Sequence, residues 1–224
     1  MGPLERLTSL LAPHRCVMCG AAGTLLCAWC APDAFMAVPS RCFHCQAATA
    51  DSAVCKKCHR QFRLRHAWIA AEYEGAAQQL IRCLKFERAP AAAAPIARSL
   101  AETLPYFDEH VIFTHIPAAT SRVRQRGYDQ SQLIARELAR ITRRRHATLL
   151  RRHGQARQVG AKRSLRLQQL EGVFSPLRLN LVKGAQIVLI DDVVTTGATL
   201  GEAAKTLRQA GAKSVDAAIF AQKM

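Results

Sequence analysis

The chain has 224 residues, with 32 Lys and Arg against 16 Asp and Glu, a net charge of +16 and an isoelectric point near 10.1. Such a balance favours polyanionic partners: nucleic acid, nucleotides or sugar phosphates. Half of the residues are apolar, which excludes disorder over most of the chain and allows one medium domain with a small companion.

The start, "MGPLERLTSLLAPHRC", carries an apolar patch too short and interrupted for a secretion signal. No apolar run approaches the ~20 residues that span a bilayer. A soluble cytoplasmic protein without membrane insertion is the expectation. Its nine cysteines would then meet a reducing compartment, which favours metal binding over disulfides.

Eight cysteines form four CxxC pairs: "CVMC" (Cys16, Cys19), "CAWC" (Cys27, Cys30), "CFHC" (Cys42, Cys45) and "CKKC" (Cys55, Cys58). Each pair is a knuckle that aims two thiolates at one point, and two knuckles make the tetrahedral sulfur set that zinc prefers. Two structural Zn2+ sites follow, with no ligand position left open for water. Sequential pairing closes shorter loops than cross-braced pairing and is preferred on entropy. Redox CxxC chemistry and iron–sulfur binding are the competing readings, but redox motifs normally come singly on a βαβ unit. His44 and His59 read as exposed neighbours. Trp29, Phe43 and Phe62 read first as a mini-core and second as base-stacking platforms. The ribbon is expected to occupy residues 1–62 and the larger domain residues 63–224.

Beyond the cysteines, "AWIAAEY" reads as a strand closed by a "YEG" turn. "AAQQLIRCLKFER" has Leu80, Ile81 and Leu84 at helical spacing, with Cys83 as a small core residue. "APAAAAPIA" reads as a loop leading into the helix "IARSLAETL". "HVIFTHIP" is a buried strand, "SQLIARELARITRRR" a helix, "QIVLI" a buried strand, "ATLGEAAKTLRQA" a helix with Gly211 at its C-cap, and "SVDAAIFAQ" a last strand. Apolar strands alternating with helices predict a parallel sheet covered on both faces, with a ligand beyond the carboxyl ends of its strands.

"IVLIDDVVTTGATL" (Ile187 to Leu200) begins at such an end. Asp191 and Asp192 repel each other, and burying either is costly unless it is paired. Two neighbouring ribose hydroxyls, or a metal ion, would satisfy them. Val193, Val194, Thr195, Thr196, Gly197, Ala198 and Thr199 then lead into a helix whose first amides lack partners and carry the positive end of the dipole. Threonine hydroxyls add donors and Gly197 permits close backbone approach, which together make a phosphate cradle. A strand-to-helix turn with a threonine cap is the plainer reading.

This stretch resembles the phosphoribosyl pyrophosphate (PRPP) motif of type I phosphoribosyltransferases, and Ile187 to Thr199 fits every position. With the four CxxC pairs, "LIRCLKFER", "HIPAATSRVRQRGYDQSQLIARELA" and "RQVGAKRSLRLQQLEGVF", the chain resembles the ComF family over nearly its whole length. The resemblance implies an α/β type I phosphoribosyltransferase fold behind an N-terminal zinc ribbon, and a role in natural transformation, where imported single-stranded DNA is handled. It implies that Asp191 and Asp192 bind the ribose hydroxyls and that Thr195 through Thr199 hold the 5′-phosphate. It makes the turn from Ala118 and Ala119 to about Arg122 the pyrophosphate loop, and gives Arg126 and Lys85 to pyrophosphate or acceptor. "RQVGAKR" would be a hood over the site, and Mg2+ would arrive chelated by PRPP. Two positions depart from the family's pattern: Asp129 stands for an asparagine, and Gln169 for another in the hood.

Two functions remain open at this point. One is an enzyme in which a nucleophile displaces pyrophosphate from C1 of PRPP, a reaction that needs leaving-group stabilisation more than a strong base. The other is a PRPP- or nucleotide-sensing module that binds single-stranded DNA or proteins of the DNA-uptake machinery. From Arg122 to Arg166 there are fourteen Lys and Arg against only Asp129 and Glu137. Aromatic content is 6%, so DNA contact would be mainly electrostatic.

Overall fold

The computed structural model describes residues 14–153 and 172–223. Its strands are β1 (Ala67–Glu72), β2 (Ile112–His115), β3 (Arg145–His146), β4 (Leu150–Arg152), β5 (Phe174–Pro176), β6 (Gln186–Val194) and β7 (Ser214–Gln222). Its helices are α1 (Lys56–Phe62), α2 (Gly75–Phe86), α3 (Ala93–Thr103), α4 (Thr120–Arg126), α5 (Gln130–Thr142), α6 (Leu179–Val182) and α7 (Ala198–Gln209). Five strands form one sheet in the order β1-β7-β6-β2-β3, with every neighbouring pair parallel. β4 and β5 make a separate antiparallel pair. Among the described residues, no helix is long and apolar enough to cross a membrane.

The sheet is apolar on both faces, and successive side chains alternate between them. On β6, Val188 and Ile190 enter one core while Ile187 and Leu189 enter the other; on β7, Ala218 and Phe220 oppose Val215, Ala217 and Ile219. Helices α2, α3 and α5 cover the first face through Leu80, Ile81, Leu84, Ile96, Leu100, Ile134 and Leu138. Helix α7 covers the second through Leu200, Ala203, Ala204 and Leu207.

The two cysteine clusters repeat one local plan. Cys16 N–H donates to Ala21 O (2.8 Å) and Gly20 N–H to Cys16 O (2.9 Å); Cys42 N–H donates to Ala47 O and Gln46 N–H to Cys42 O, both at 2.9 Å. They dock on opposite faces. Cys16, Leu25, Leu26 and Cys30 join the α2–α3 core, where Phe35 meets Phe220 edge-on at 5.3 Å. Cys42, Phe43, Cys58 and Phe62 join the α7 core.

Several expectations change. The strand expected over Ile187–Ile190 runs on to Val194, because β7 continues beside it through Val193↔Ala221 and Val194↔Gln222. The alanine-rich tract is not a loop: a short turn over Pro90–Ala92 leads directly into α3 at Ala93. Alanine is the best helix former, and Pro95 falls in the first turn, where its missing N–H has no intrahelical role. Trp29 is not a mini-core residue but stands 89% exposed, whereas Phe43 and Phe62 are buried.

Candidate functional site

The pairing of β6 with β2 ends at His115↔Ile190, while its pairing with β7 runs four residues further, to Val194↔Gln222. Asp191 and Asp192 sit on this one-sided extension. Asp192 is 3% exposed, and its Oδ1 lies 2.9 Å from Lys85 Nζ on α2. Its Oδ2 is buried without a hydrogen-bond partner among the described residues. Asp191 Oδ1 accepts from Ser131 Oγ on α5 (3.0 Å) and from the Asp192 amide (2.9 Å). Burial and then the charge of Asp192 push Asp191 up to about 7, against the pull of Lys85, the amide and Ser131. One ammonium serves two carboxylates, so a diol donor or a cation would complete the set.

The next residues form the turn into α7. Thr195 is exposed, Thr196 Oγ1 accepts from the Ala198 amide at 3.4 Å, and Gly197 caps the helix at φ +76°. Val193 and Val194 do not line the turn; Val193 packs against the first core and Val194 is buried in the second. The outer wall of the turn comes from the second cluster. His44 Nδ1 lies 3.2 Å from the Thr196 carbonyl, which can only accept, so that nitrogen carries the proton. A Cβ on Gly197 would lie 2.5 Å from Phe43 Cε2, and one on Gly201 would lie 2.6 Å from Phe62 Cδ1. Close approach is what Gly197 allows, and Phe43 is what approaches.

On the other side of the strand end, β2 passes through Ile116 and Pro117 to α4. The Ala118 amide donates to Asp129 Oδ2 at 2.8 Å, and Asp129 also caps α5 through the Gln132 amide. Asp129 therefore ties the loop to α5, and the Ala118 amide is committed rather than open to an anion. Ala119 caps α4 without a side-chain bond. Arg126 is 8% exposed; Nη1 donates to Gln130 Oε1 (2.8 Å) and the guanidinium stands 5.8 Å from the Phe86 ring centroid. Burial, then Arg122, lowers its pKa, and Asp192 works the other way. Tyr128 OH donates to Leu84 O (2.7 Å), which locks the α4–α5 turn to the helix that carries Lys85. Lys85 thus pairs directly with Asp192, and Arg126 lies within electrostatic reach of it.

Ser131, Gln130 and Arg152 were not singled out from sequence. Arg152 donates to Pro117 O at 3.4 Å, stacks on Phe174, and lies within electrostatic reach of Asp191. Basic side chains are too common in this segment for any one to stand out. The hood segment "RQVGAKR" and Gln169 lie outside the described residues.

The cysteines group as Cys16, Cys19, Cys27, Cys30 and as Cys42, Cys45, Cys55, Cys58, and the ligand atoms within each group lie within 4.8 Å of one another. The sequential pairing holds. Cys19 and Cys27 sulfurs are 3.7 Å apart, and Cys45 and Cys55 sulfurs 3.6 Å. A tetrahedral ion with ~2.3 Å metal–sulfur bonds sets sulfurs roughly 3.8 Å apart, so the donor set fits. Burial opposes ionisation of Cys16 and Cys42, yet nearby amides bring them down to about 6 and about 7. Crowding by the neighbouring sulfurs pushes Cys30 up to about 12. Four thiolates at this range need a cation between them. Each cluster is able to hold a metal ion.

Residues 90–224 match the phosphoribosyl transferase domain family. Over 106 residues the chain is 37% identical to the competence protein ComFC of Bacillus subtilis, covering 47% of this chain and 42% of that protein. Over 165 residues it is 34% identical to the DNA utilization protein YhgH of Salmonella typhi, covering 65% and 66%. A 50-residue stretch is 40% identical to the orotate phosphoribosyltransferase of Bartonella tribocorum, covering 22% and 26%. The chain therefore spans less than two thirds of these relatives' own lengths. With its parallel sheet, its strand-end carboxylates and two four-cysteine clusters, the chain belongs to the phosphoribosyl transferase domain family, as a ComF-type member.

Proposed function

We propose that the chain binds PRPP with Mg2+ beyond the carboxyl end of β6. Asp191 and Asp192 accept from the ribose hydroxyls, Thr195 to Thr199 hold the 5′-phosphate, and Lys85 and Arg126 face the pyrophosphate. Mg2+, held mainly by PRPP oxygens, supplies charge neutralisation. In the catalytic reading, an incoming nucleophile bonds to C1 as the C1–O bond to pyrophosphate breaks and its electron pair leaves with pyrophosphate. The protein's contribution is positioning and leaving-group stabilisation. Zinc in both clusters braces a ribbon over residues 1–62, ahead of the domain over residues 63–224.

The observation that carries this reading is the Asp192 Oδ2 atom, buried without a partner among the described residues beside a threonine-rich turn. A buried carboxylate oxygen left bare is costly, and a ribose hydroxyl is the donor it lacks. Calorimetric titration with PRPP and Mg2+ tests it. Wild type is expected to bind and Asp192→Asn to lose at least tenfold in affinity; equal affinity would falsify the assignment. Metal analysis should find about two zinc ions per chain, and none would remove the ribbon reading.

The cellular role we infer is DNA uptake and the handling of incoming single-stranded DNA in the cytoplasm, supported by the competence and DNA-utilization relatives and the +16 charge. A second reading, non-catalytic PRPP or nucleotide sensing coupled to single-stranded DNA or partner-protein binding, is favoured by the committed Ala118 amide, which leaves the pyrophosphate side short of one donor. Pyrophosphate release across a panel of acceptors separates the two.

A further inference from the structure

The "CFHC" knuckle holds two cluster cysteines at its ends and places both intervening residues on the turn into α7. Phe43 fills the space beside Gly197, where a Cβ would lie 2.5 Å from its ring, and it meets Phe62 edge-on at 5.1 Å. Phe62, the last residue of α1, fills the space beside Gly201 one helical turn along α7. His44 stacks obliquely on Phe62 at 4.6 Å and donates to the Thr196 carbonyl. Gln222, at the end of β7, donates to the Phe43 carbonyl, and Arg41 pairs with Glu72 at 3.5 Å. The knuckle is thereby fixed to the sheet as well as to the turn. Cys42 and Cys45 bracket Phe43 and His44, and Cys58 lies four residues before Phe62. The geometry of the cluster therefore sets the position of all three side chains.

We infer that the Cys42–Cys58 cluster is a functional part of the anion site: Phe43, His44 and Phe62 are positioning residues for the 195–199 turn, so metal held by this cluster and phosphate held by that turn stabilise each other. The inference rests on the PRPP reading for the identity of the anion but not for the coupling itself. Linkage makes the effect reciprocal. A ligand that orders the turn tightens the seat of the knuckle, and loss of metal or oxidation of its thiols loosens the turn. Among the described residues, the first cluster shows no hydrogen bond or ring contact to that turn. Its equivalent residues are Val17, which packs against the opposite core, and Met18, which is exposed.

The test uses the full-length, zinc-loaded protein and two readouts. Amide hydrogen exchange over residues 195–201 needs no ligand, and calorimetry with PRPP and Mg2+ reports the site. His44→Ala removes one hydrogen bond from an exposed side chain and leaves the cysteines intact. It should raise exchange in the turn and weaken PRPP by about tenfold, within the usual range of site-to-site coupling. His44→Asn returns an N–H donor near the position of Nδ1 and should restore both. Met18→Ala, the matching position of the first knuckle, should change neither. Unchanged exchange and affinity in His44→Ala, or equal effects from Met18→Ala, overturn the inference and leave PRPP binding standing. Faster exchange in His44→Ala, in a protein whose wild type does not take PRPP, sinks the PRPP reading and upholds the coupling.

Discussion

The two cysteine clusters share CxxC knuckles, the turn geometry of the first knuckle and closely similar sulfur-to-sulfur distances, and they differ in what their knuckles touch. Cys16–Cys30 feeds the core under α2 and α3 and turns Met18 and Trp29 to the outside. Cys42–Cys58 feeds the core under α7 and turns Phe43 and His44 onto the turn that follows the carboxylates. One metal-binding plan used twice has been given two tasks, and the residues between the cysteines rather than the cysteines decide which.

The largest expected contrast comes from breaking one cluster at a time. A structural zinc site contributes on the order of 10 kcal/mol to folding its own segment. Cys30→Ser and Cys58→Ser should each release one metal ion. Only Cys58→Ser should weaken PRPP binding by roughly a hundredfold, since coupling between sites commonly reaches that size. Similar losses from both variants would erase the distinction.

Aromatic truncation gives the next contrast. Phe43→Ala should cost about 3–5 kcal/mol in chemical denaturation, as for other buried phenylalanines. Trp29→Ala should stay within about 0.5 kcal/mol, as exposed substitutions do. Glycines sharpen it further. Gly20 and Gly197 both sit near φ +75°, but nothing lies within 4 Å of a Cβ at Gly20. Gly20→Ala should cost only the left-handed backbone term, about 1–2 kcal/mol. Gly197→Ala adds a collision with Phe43, for a total of about 2–5 kcal/mol.

The smallest effect belongs to the carboxylates between the two halves. Asp191 is raised to about 7 by burial and by Asp192, whereas an unfolded aspartate titrates near ~3.9. Between these values the folded chain binds the extra proton, so this group's contribution to stability is lost as pH rises through the window. Burial lowers His115 and His146 to about 4, which gives the opposite slope up to ~6.5. The difference between wild-type and Asp191→Asn melting temperatures from pH 4.5 to 7.5 isolates the first slope: the variant should gain on the wild type as pH rises.

Much of this was legible in the amino-acid order. Continuous apolar runs such as Ile187–Ile190 and Ala217–Ala221 declare strands buried on both faces, and Leu80, Ile81 and Leu84 declare a helix. Loop-closure entropy chose the cysteine pairing. What stayed hidden was tertiary. CxxC spacing fixes the shape of a knuckle but not the direction in which it points, so His44 read as a bystander and Trp29 as core. β3, β4 and β5 are two or three residues long, too short to show a period. The extension of β6 depends on β7, whose partner residues lie about thirty positions away. The Ala118 amide looked available because its partner, Asp129, arrives from the cap of a different helix.

One consequence of that unequal strand pairing concerns shape. Because β2 stops beside Ile190 while β7 accompanies β6 to Val194, the interior of the sheet has a berth one strand wide. Four residues at ~3.3 Å each make it about 13 Å long, and its width is the ~4.8 Å spacing of neighbouring strands. An exposed strand edge is normally a hazard, because it invites pairing with another chain. Here β7 holds one side of this stretch, and Ser131 at the start of α5 donates to Asp191 within it, so an opening of this size has room for a small molecule rather than a foreign strand. The length of β2 is thus a ruler: each residue added to that strand would close about one quarter of the berth.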